Sequence, residues 1–494
     1  MVKHSLEGPT GRGLRGRLAF LLKDSLVYGG AAAISKAFTL ITFPLLARNL
    51  SVAEFGEVDF LVVLANFLTI LLVFGQDSAV ARYFYEYEDH EERRQLISQS
   101  LALQLFTTFL CVPLLLYFQE YLPQSSGAQH IIFIIILQLP FLLVINFAQN
   151  LMKWTFERSH FIVMTLGFTI VQTALLAIVF MLLDVGVKEV LFVMLASAIL
   201  FGVLGLYWIR RWLMWPQNFG RLREILPYAV PFGVICTIGA FGPTLERGMV
   251  ESLIGLEALG IYAAGVKIVA LITLVTAAFQ TAWAPFYLSS HKREDAPITF
   301  IWIFKIFSFG ICLVALILSL LAENLIQILA SNRYQGAALI VFPLAMASAI
   351  QATGWISEIG ITLSKRSYLQ ILPYIIFLFF TMCGILIFAP IYGLLGVSLG
   401  VLIGHVAKSI SSSWMAQKAY PLNWPYKEVF ACFIFTLTIG LLGQWVAWET
   451  KIYLIHSTIV MCGVIALSLF AWFRMLTRLE RSRICDVIIK IRVG

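Results

Sequence analysis

Residues 187–224, VKEVLFVMLASAILFGVLGLYWIRRWLMWPQNFGRLRE, decide the fold. The apolar run centred near Met194 is long enough to cross a bilayer, which takes about 20 residues. It ends on Arg210, Arg211, Trp212, Trp215, Pro216, Arg221 and Arg223. Basic and aromatic residues mixed in this way suit a segment lying at the cytoplasmic face of a membrane. The gap before the run carries one basic residue, Lys188. A spanning helix with a basic inner end and a nearly neutral outer end is the unit from which the chain is built.

The same unit recurs in both directions. Apolar runs of spanning length are centred near Ile34, Val63, Phe109, Ile136, Ile170, Met194, Val234, Leu271, Gly310, Ala347, Leu378, Val401, Phe435 and Val460. Loops rich in Lys and Arg stay on the cytoplasmic side. Every second gap, with the two ends, holds 26 of the 35 basic residues, and the alternate gaps hold only Arg48, Lys188, Arg247, Arg333 and Lys451. The chain is therefore expected to be an all-α polytopic membrane protein of about 14 transmembrane helices with both termini in the cytoplasm. The run from Leu26 to Leu46 exceeds a signal-peptide core and is expected to be retained as the first helix.

The long polar interval after helix six is the natural divider. It predicts an N-terminal lobe over residues 1–209, a cytoplasmic linker over 210–225, a second lobe of six helices over 226–416, and two further helices with a basic tail over 417–494. The two halves begin alike, with Val52-Ala53-Glu54-Phe55-Gly56 answered by Leu256-Glu257-Ala258-Leu259-Gly260. Six helices return the chain to its starting side, so such a repeat is parallel, about an axis along the membrane normal.

Composition excludes several functions. The net charge of +8 is accounted for by loop orientation, so no nucleic acid partner is expected. The seven cysteines stand singly and the seven histidines show no ligand spacing, so no metal is expected. The glycine-rich stretch Gly8-Pro9-Thr10-Gly11-Arg12-Gly13 lacks the Gly-Lys-Ser/Thr ending of a phosphate loop. No cofactor and no enzymatic activity are expected.

Helix seven carries Pro227, Pro231, Gly233, Gly239, Gly242, Pro243 and Gly248, a density that predicts a kinked or interrupted helix. The alternative is that its glycines allow close packing, as expected for Gly396, Gly400 and Gly404 on one face of helix twelve.

Charges inside the spans are the functional candidates, because each costs at least about 2.5 to 3.5 kcal/mol near the bilayer centre and marks a cavity or a partner. Lys36 shares a face with Ala32, Ala33 and Thr39, and Lys267 lies among Ala263, Ala264 and Ala270. Arg247 follows Glu246 near the outer end of helix seven, and Glu358 is the deep carboxylate of helix ten. Lys305 and Lys408 are close enough to cytoplasmic ends for snorkelling to explain them. The excess of cations favours an anionic substrate. An inside-negative potential drives each exported negative charge outward by about 2.3 kcal/mol per 100 mV.

Several short motifs appear together and in order: Pro44-Leu45-Leu46-Ala47-Arg48 with Glu54-Phe55-Gly56; the segment from Gly75 to Tyr83 ending Ala-Arg-Tyr; Glu246-Arg247; Gly260-Ile261-Tyr262 with Lys267; and Tyr392-Gly393-Leu394-Leu395-Gly396-Val397. In these the chain resembles the polysaccharide-type, Wzx-like flippases of the multidrug/oligosaccharidyl-lipid/polysaccharide exporter superfamily, over essentially its whole length. That family usually has Asp-Arg where this chain has Glu246-Arg247. The resemblance implies two pseudo-symmetric six-helix lobes around a cationic cavity, working by alternating access in the bacterial cytoplasmic (inner) membrane. It implies an undecaprenyl-diphosphate-linked oligosaccharide as substrate, membrane lipids as surroundings and polysaccharide polymerase machinery as a further partner.

On this basis Lys36, Arg48, Arg247 and Lys267 are the candidate substrate-binding cations, and Glu246 and Glu358 the candidate cavity carboxylates for ion coupling. A lipid II-type flippase and a cation-coupled drug antiporter of the same superfamily are the rivals. A membrane glycan polymerase ranks below both, because no outer gap is long enough to carry a catalytic loop.

Overall fold

The computed structural model describes residues 14–118, 129–216, 219–290, 293–364, 366–450 and 453–475. Among the described residues the chain is helical and has no strand. The first helices are α1 (Leu14–Asn49), α2 (Val52–Val73), a short α3 (Gln76–Glu86), α4 (His90–Phe118) and α5 (Gln129–Trp154). Then come α6 (Arg158–Ile162), a π-helical turn at Val163–Gly167, α7 (Phe168–Leu182) and α8 (Val187–Ile209). The second half runs through α9 (Gly220–Leu253), α10 (Leu256–Ser290), α11 (Ala296–Leu329), α12 (Ala338–Ser357) and α13 (Ile359–Leu363). It ends with α14 (Ile371–Tyr392), α15 (Leu394–Ala419), α16 (Tyr426–Thr450) and α17 (Tyr453–Phe470).

Thirteen stretches among the described residues are long and apolar enough to cross a membrane, with α12 and α13 together forming one of them. The run centred near Val460 corresponds to α17, whose apolar part is Thr458–Phe470. The chain is a multi-pass membrane protein. In lipid the backbone must satisfy its own polar groups, and a helix does so within one segment.

The helices gather into two compact units. One comprises 1–263 with 329–333 and 370–378, the other 264–328 with 334–369 and 379–494. The first unit extends to Ala263, and within it α9 packs with α2, α3 and α4.

In the first unit, small residues set the close approaches, as expected where lipid supplies no hydrophobic drive between helices. Gly202 faces Phe141, and Gly205 faces Ala148, between α8 and α5. At the far end of α2 the chain turns through Phe74 and Gly75, both with positive φ. A methyl on Gly75 would sit 2.5 Å from the carbonyl oxygen of Ala229, and one on Gly233 would sit 2.5 Å from that of Phe74. At the near end, Ser51 and Glu54 form a reciprocal capping box that starts α2.

Helix α9 is continuous from Gly220 to Leu253 through Pro227, Pro231 and Pro243, so the expected interruption of helix seven is not found. Its glycines serve close packing instead, with Gly233 on Phe74, Gly239 on Tyr374 and Gly242 on Phe377. Each proline removes one hydrogen bond and leaves the rest of the ladder standing.

The second unit repeats the principle. Gly396 and Gly400 of α15 lie against the backbone of Phe388, Gly384 and Ile385 in α14, and Gly360 of α13 lies 2.7 Å, measured from an added methyl, from the carbonyl oxygen of Ala416.

The linker is pinned within the first unit. Met214 N donates to Ser98 Oγ and Arg94 donates to Leu213 O, both at 2.8 Å. Arg211 pairs with Glu157, Arg210 stacks over Tyr207, and Trp212 is buried against Phe84 and His90.

Candidate functional site

In the first unit, α2, α9 and the start of α10 bring four buried polar side chains together. Arg247 Nε donates to Asp59 Oδ2 at 2.7 Å, and its Nη1 donates to the carbonyl of Pro243 at 3.1 Å. Tyr262 OH donates to Glu246 Oε2 at 2.8 Å, and the guanidinium lies 5.9 Å from the centre of the Tyr262 ring. Arg247 and Asp59 are each 3% exposed. A buried ion pair persists only when geometry and further hydrogen bonds offset desolvation, and the Pro243 carbonyl supplies one of these bonds.

Helical spacing explains the grouping. Pro243 and Arg247 are four apart on α9, so the side chain folds back over the turn before it. Glu246 and Arg247, adjacent in sequence, point about 100° apart. One therefore meets Tyr262 and the other meets Asp59.

The remaining candidates lie elsewhere. Lys36 is exposed on α1 beside the exposed Ala32 and Thr39, and its carbonyl accepts Thr39 Oγ1 at 2.6 Å. Arg48 is exposed in the last turn of α1. The carbonyls of Ala47 and Arg48 each accept Arg333 Nη2 at 3.1 Å, so Arg333 caps that helix end.

In the second unit, Lys267 is half-buried on α10. Glu358 sits at the break between α12 and α13, accepts Ser412 Oγ at 2.7 Å and lies 4.0 Å from Lys408 Nζ. Lys408 is 4% exposed, so it does not snorkel as expected. Glu358, across the contact between helices, gives its ammonium a counter-charge inside the unit.

The structure thus adds Asp59 to the residues read from the sequence and gives Tyr262 and Lys408 a place in buried polar clusters. Asp59 had a signal, as a carboxylate within the apolar run of α2. Its partner lies 188 positions away and no local pattern reports it. Among the described residues no group of three or more His, Cys, Asp and Glu side chains is placed to hold a metal ion.

Comparison with known proteins gives consistent findings. A family model described as polysaccharide biosynthesis protein matches residues 21–291. An uncharacterized membrane protein of Haemophilus influenzae is 37% identical over 67 residues, which are 14% of this chain and 17% of that protein. The chain thus matches about a sixth of that relative's length. Among solved structures, lipid II flippase MurJ in an inward closed conformation superposes with a TM-score of 0.71 at 13% identity, covering 92% of this chain and 100% of that one. A variant of the Vibrio cholerae MATE transporter VcmN superposes with a TM-score of 0.57 at 14% identity, covering 81% of this chain and 97% of the other. At these identities the likeness is one of fold.

Proposed function

Because the chain belongs to the polysaccharide biosynthesis protein family, we propose that it is a flippase that carries an undecaprenyl-diphosphate-linked oligosaccharide from the inner to the outer leaflet of the cytoplasmic membrane. The observation that carries this reading is Arg247, a buried guanidinium within the last two turns of a spanning helix. A membrane protein retains such a charge at high cost, and a planar fork of donors matches phosphate oxygens. Lys36, Arg48 and Lys267 are the further cations of the path, and Glu246 and Glu358 the carboxylates that balance it. The lobes over 1–209 and 226–416 alternate the access of the substrate. The membrane potential assists the outward passage of a dianion, by about 2.3 kcal/mol per charge per 100 mV. The product serves O-antigen, capsule or exopolysaccharide assembly, with a polymerase downstream.

The test is complementation of an export-deficient strain together with a reconstituted flipping assay. Arg247→Ala would strand Asp59 and confuse instability with inactivity, so Arg247→Lys and Lys267→Gln are the informative variants. Both should express and fold while losing most export, since Lys keeps the charge of Arg but not its fork. Full complementation by both would reject the cationic path.

The superposition on MurJ, over 92% of this chain, favours one second reading, a lipid II-type flippase. Rescue of a strain depleted of its lipid II flippase, without rescue of glycan export, would select it.

A further inference from the structure

We propose that Asp59 is a built-in stand-in for the substrate's phosphate, which holds Arg247 while the site is empty and surrenders it to the incoming dianion. This rests on the flippase reading and specifies how recognition is converted into movement.

Three features of the first unit meet at this point. The first is occupancy: Arg247 Nε is engaged by Asp59, and the pair is buried on both sides. A cation that binds substrate cannot stay in that bond and also present the same edge to a phosphate. The second is asymmetry of the exchange. Asp59 offers one negative charge, whereas a diphosphate offers at least two and more acceptor oxygens. Its advantage over Asp59 is therefore one of charge and of the number of bonds.

The third is the fate of Asp59 after displacement. A buried carboxylate left without its counter-ion is strongly unfavourable. The remedy is to move α2 so that Asp59 reaches water. One turn before Asp59, α2 meets α10 at a pair of glycines, Gly56 and Gly260. A methyl on Gly56 would lie 2.5 Å from Gly260 N, and one on Gly260 would overlap the Val52 carbonyl. The two glycines bring no side chain of their own to that contact, and Val52 Cγ1 is the side-chain atom beside Gly260, so α2 can part from α10 there along largely backbone surfaces. Tyr262 holds Glu246 apart from this exchange, leaving Asp59 as the carboxylate bonded to Arg247 through its Nε.

A ligand shifts a conformational equilibrium only by its differential affinity for the two states. Here that difference is the Arg247 bond, closed to the ligand when Asp59 holds it and open when α2 has moved. The same exchange selects for charge, since a neutral or weakly anionic lipid cannot displace Asp59.

The experiment uses the full chain in nanodiscs, on a cysteine-free background, with spin labels at Ser51 and Leu253, both exposed. Undecaprenyl diphosphate is the probe, with undecaprenyl monophosphate and phosphatidylglycerol as comparisons. Wild type should show a short distance alone and a longer one with the diphosphate lipid, at concentrations roughly ten-fold below those needed for the monophosphate. Asp59→Asn should show the long distance without ligand and bind the diphosphate lipid at least as tightly. Asp59→Glu should keep the wild-type response. Because Asp59→Asn leaves Arg247 without its counter-charge, the Asp59→Asn/Arg247→Gln double variant is the folded reference. It should bind poorly and show one distance in all conditions. Tight binding by Asp59→Asn with a distance that still depends on ligand would overturn the inference and leave the flippase reading intact. No preference of wild type for the diphosphate lipid over phosphatidylglycerol would reject both.

Discussion

Gly56 and Gly260 are in backbone contact: a methyl on Gly56 would lie 2.5 Å from the nitrogen of Gly260. These are the closing glycines of the two matching motifs, Val52-Ala53-Glu54-Phe55-Gly56 and Leu256-Glu257-Ala258-Leu259-Gly260. The motifs that look alike in sequence therefore touch in space, at the starts of α2 and α10.

Gly260→Ala should lower thermal stability in detergent by an amount typical of overpacking, about 1 to 3 kcal/mol. The added methyl overlaps the Val52 carbonyl, which is backbone and cannot swing aside as a side-chain tip would. Gly248→Ala is the control, because nothing lies within 4 Å of a methyl there. Removing a helical glycine should leave it as stable as wild type or more so. Equal unfolding temperatures for Gly260→Ala and wild type would refute the close contact.

Glu358→Ala should destabilise the protein by about 3 to 5 kcal/mol, since it leaves the buried Lys408 without the carboxylate 4.0 Å away. Glu358→Gln/Lys408→Met removes both charges and should recover most of that loss. Unfolding curves for the two variants decide it, and a double variant no better than the single would show that the pair does not act as a unit.

Tyr87, between α3 and α4, donates to Glu224 and lies under Arg221, which itself pairs with Glu92. Burial, followed by the hydrogen bond to Glu224, pushes the phenol up to about 12 from an ordinary 10.0. A raised value in the folded state favours the protonated form. The stability that Tyr87 contributes is therefore fully present below about pH 10 and is lost as pH rises through about 12. The difference in stability between wild type and Tyr87→Phe should be flat up to pH 10 and shrink above it. A difference that falls away near neutral pH would contradict the burial of this phenol.

Lys36 separates a charge requirement from a packing requirement. Lys36→Arg should retain much of the flipping activity and Lys36→Gln should lose it, both at wild-type unfolding temperature, because the residue lies on an exposed face of α1. An unstable Lys36→Gln would assign the residue a structural role instead.

Orientation has its own test. An impermeant thiol reagent applied to intact cells should label Asp184→Cys and not Trp215→Cys, in a chain otherwise free of cysteine. Both positions are exposed, and Trp215 is 86% exposed, so access differs only by the side of the membrane. The opposite pattern would reverse the basic-loop assignment.

The sequence by itself determined the helical, membrane-spanning class. Each of the fourteen runs, from Ile34 to Val460, falls on a helix among the described residues, because spanning length and apolarity are properties of one segment. It also marked the charges within the apolar runs, since a charged residue in such a run stands out without reference to anything else. At α9 the prolines and glycines suggested a kink or an interruption, with close packing as the alternative, and the helix is uninterrupted. Only neighbours such as Phe74, Tyr374 and Phe377 show that the glycines are contact sites in a continuous helix.

Tertiary structure alone decided the partners. Arg247 reads as a free cation until Asp59 is placed beside it, and Lys408 reads as a snorkelling side chain until Glu358 is. The physical reason is that a pairing energy depends on distance in space and on the dielectric around it, and neither quantity is written in a segment's own residues. Asp59 and Arg247 lie on helices that α3 to α8 separate in sequence, and helix packing alone brings them to 2.7 Å.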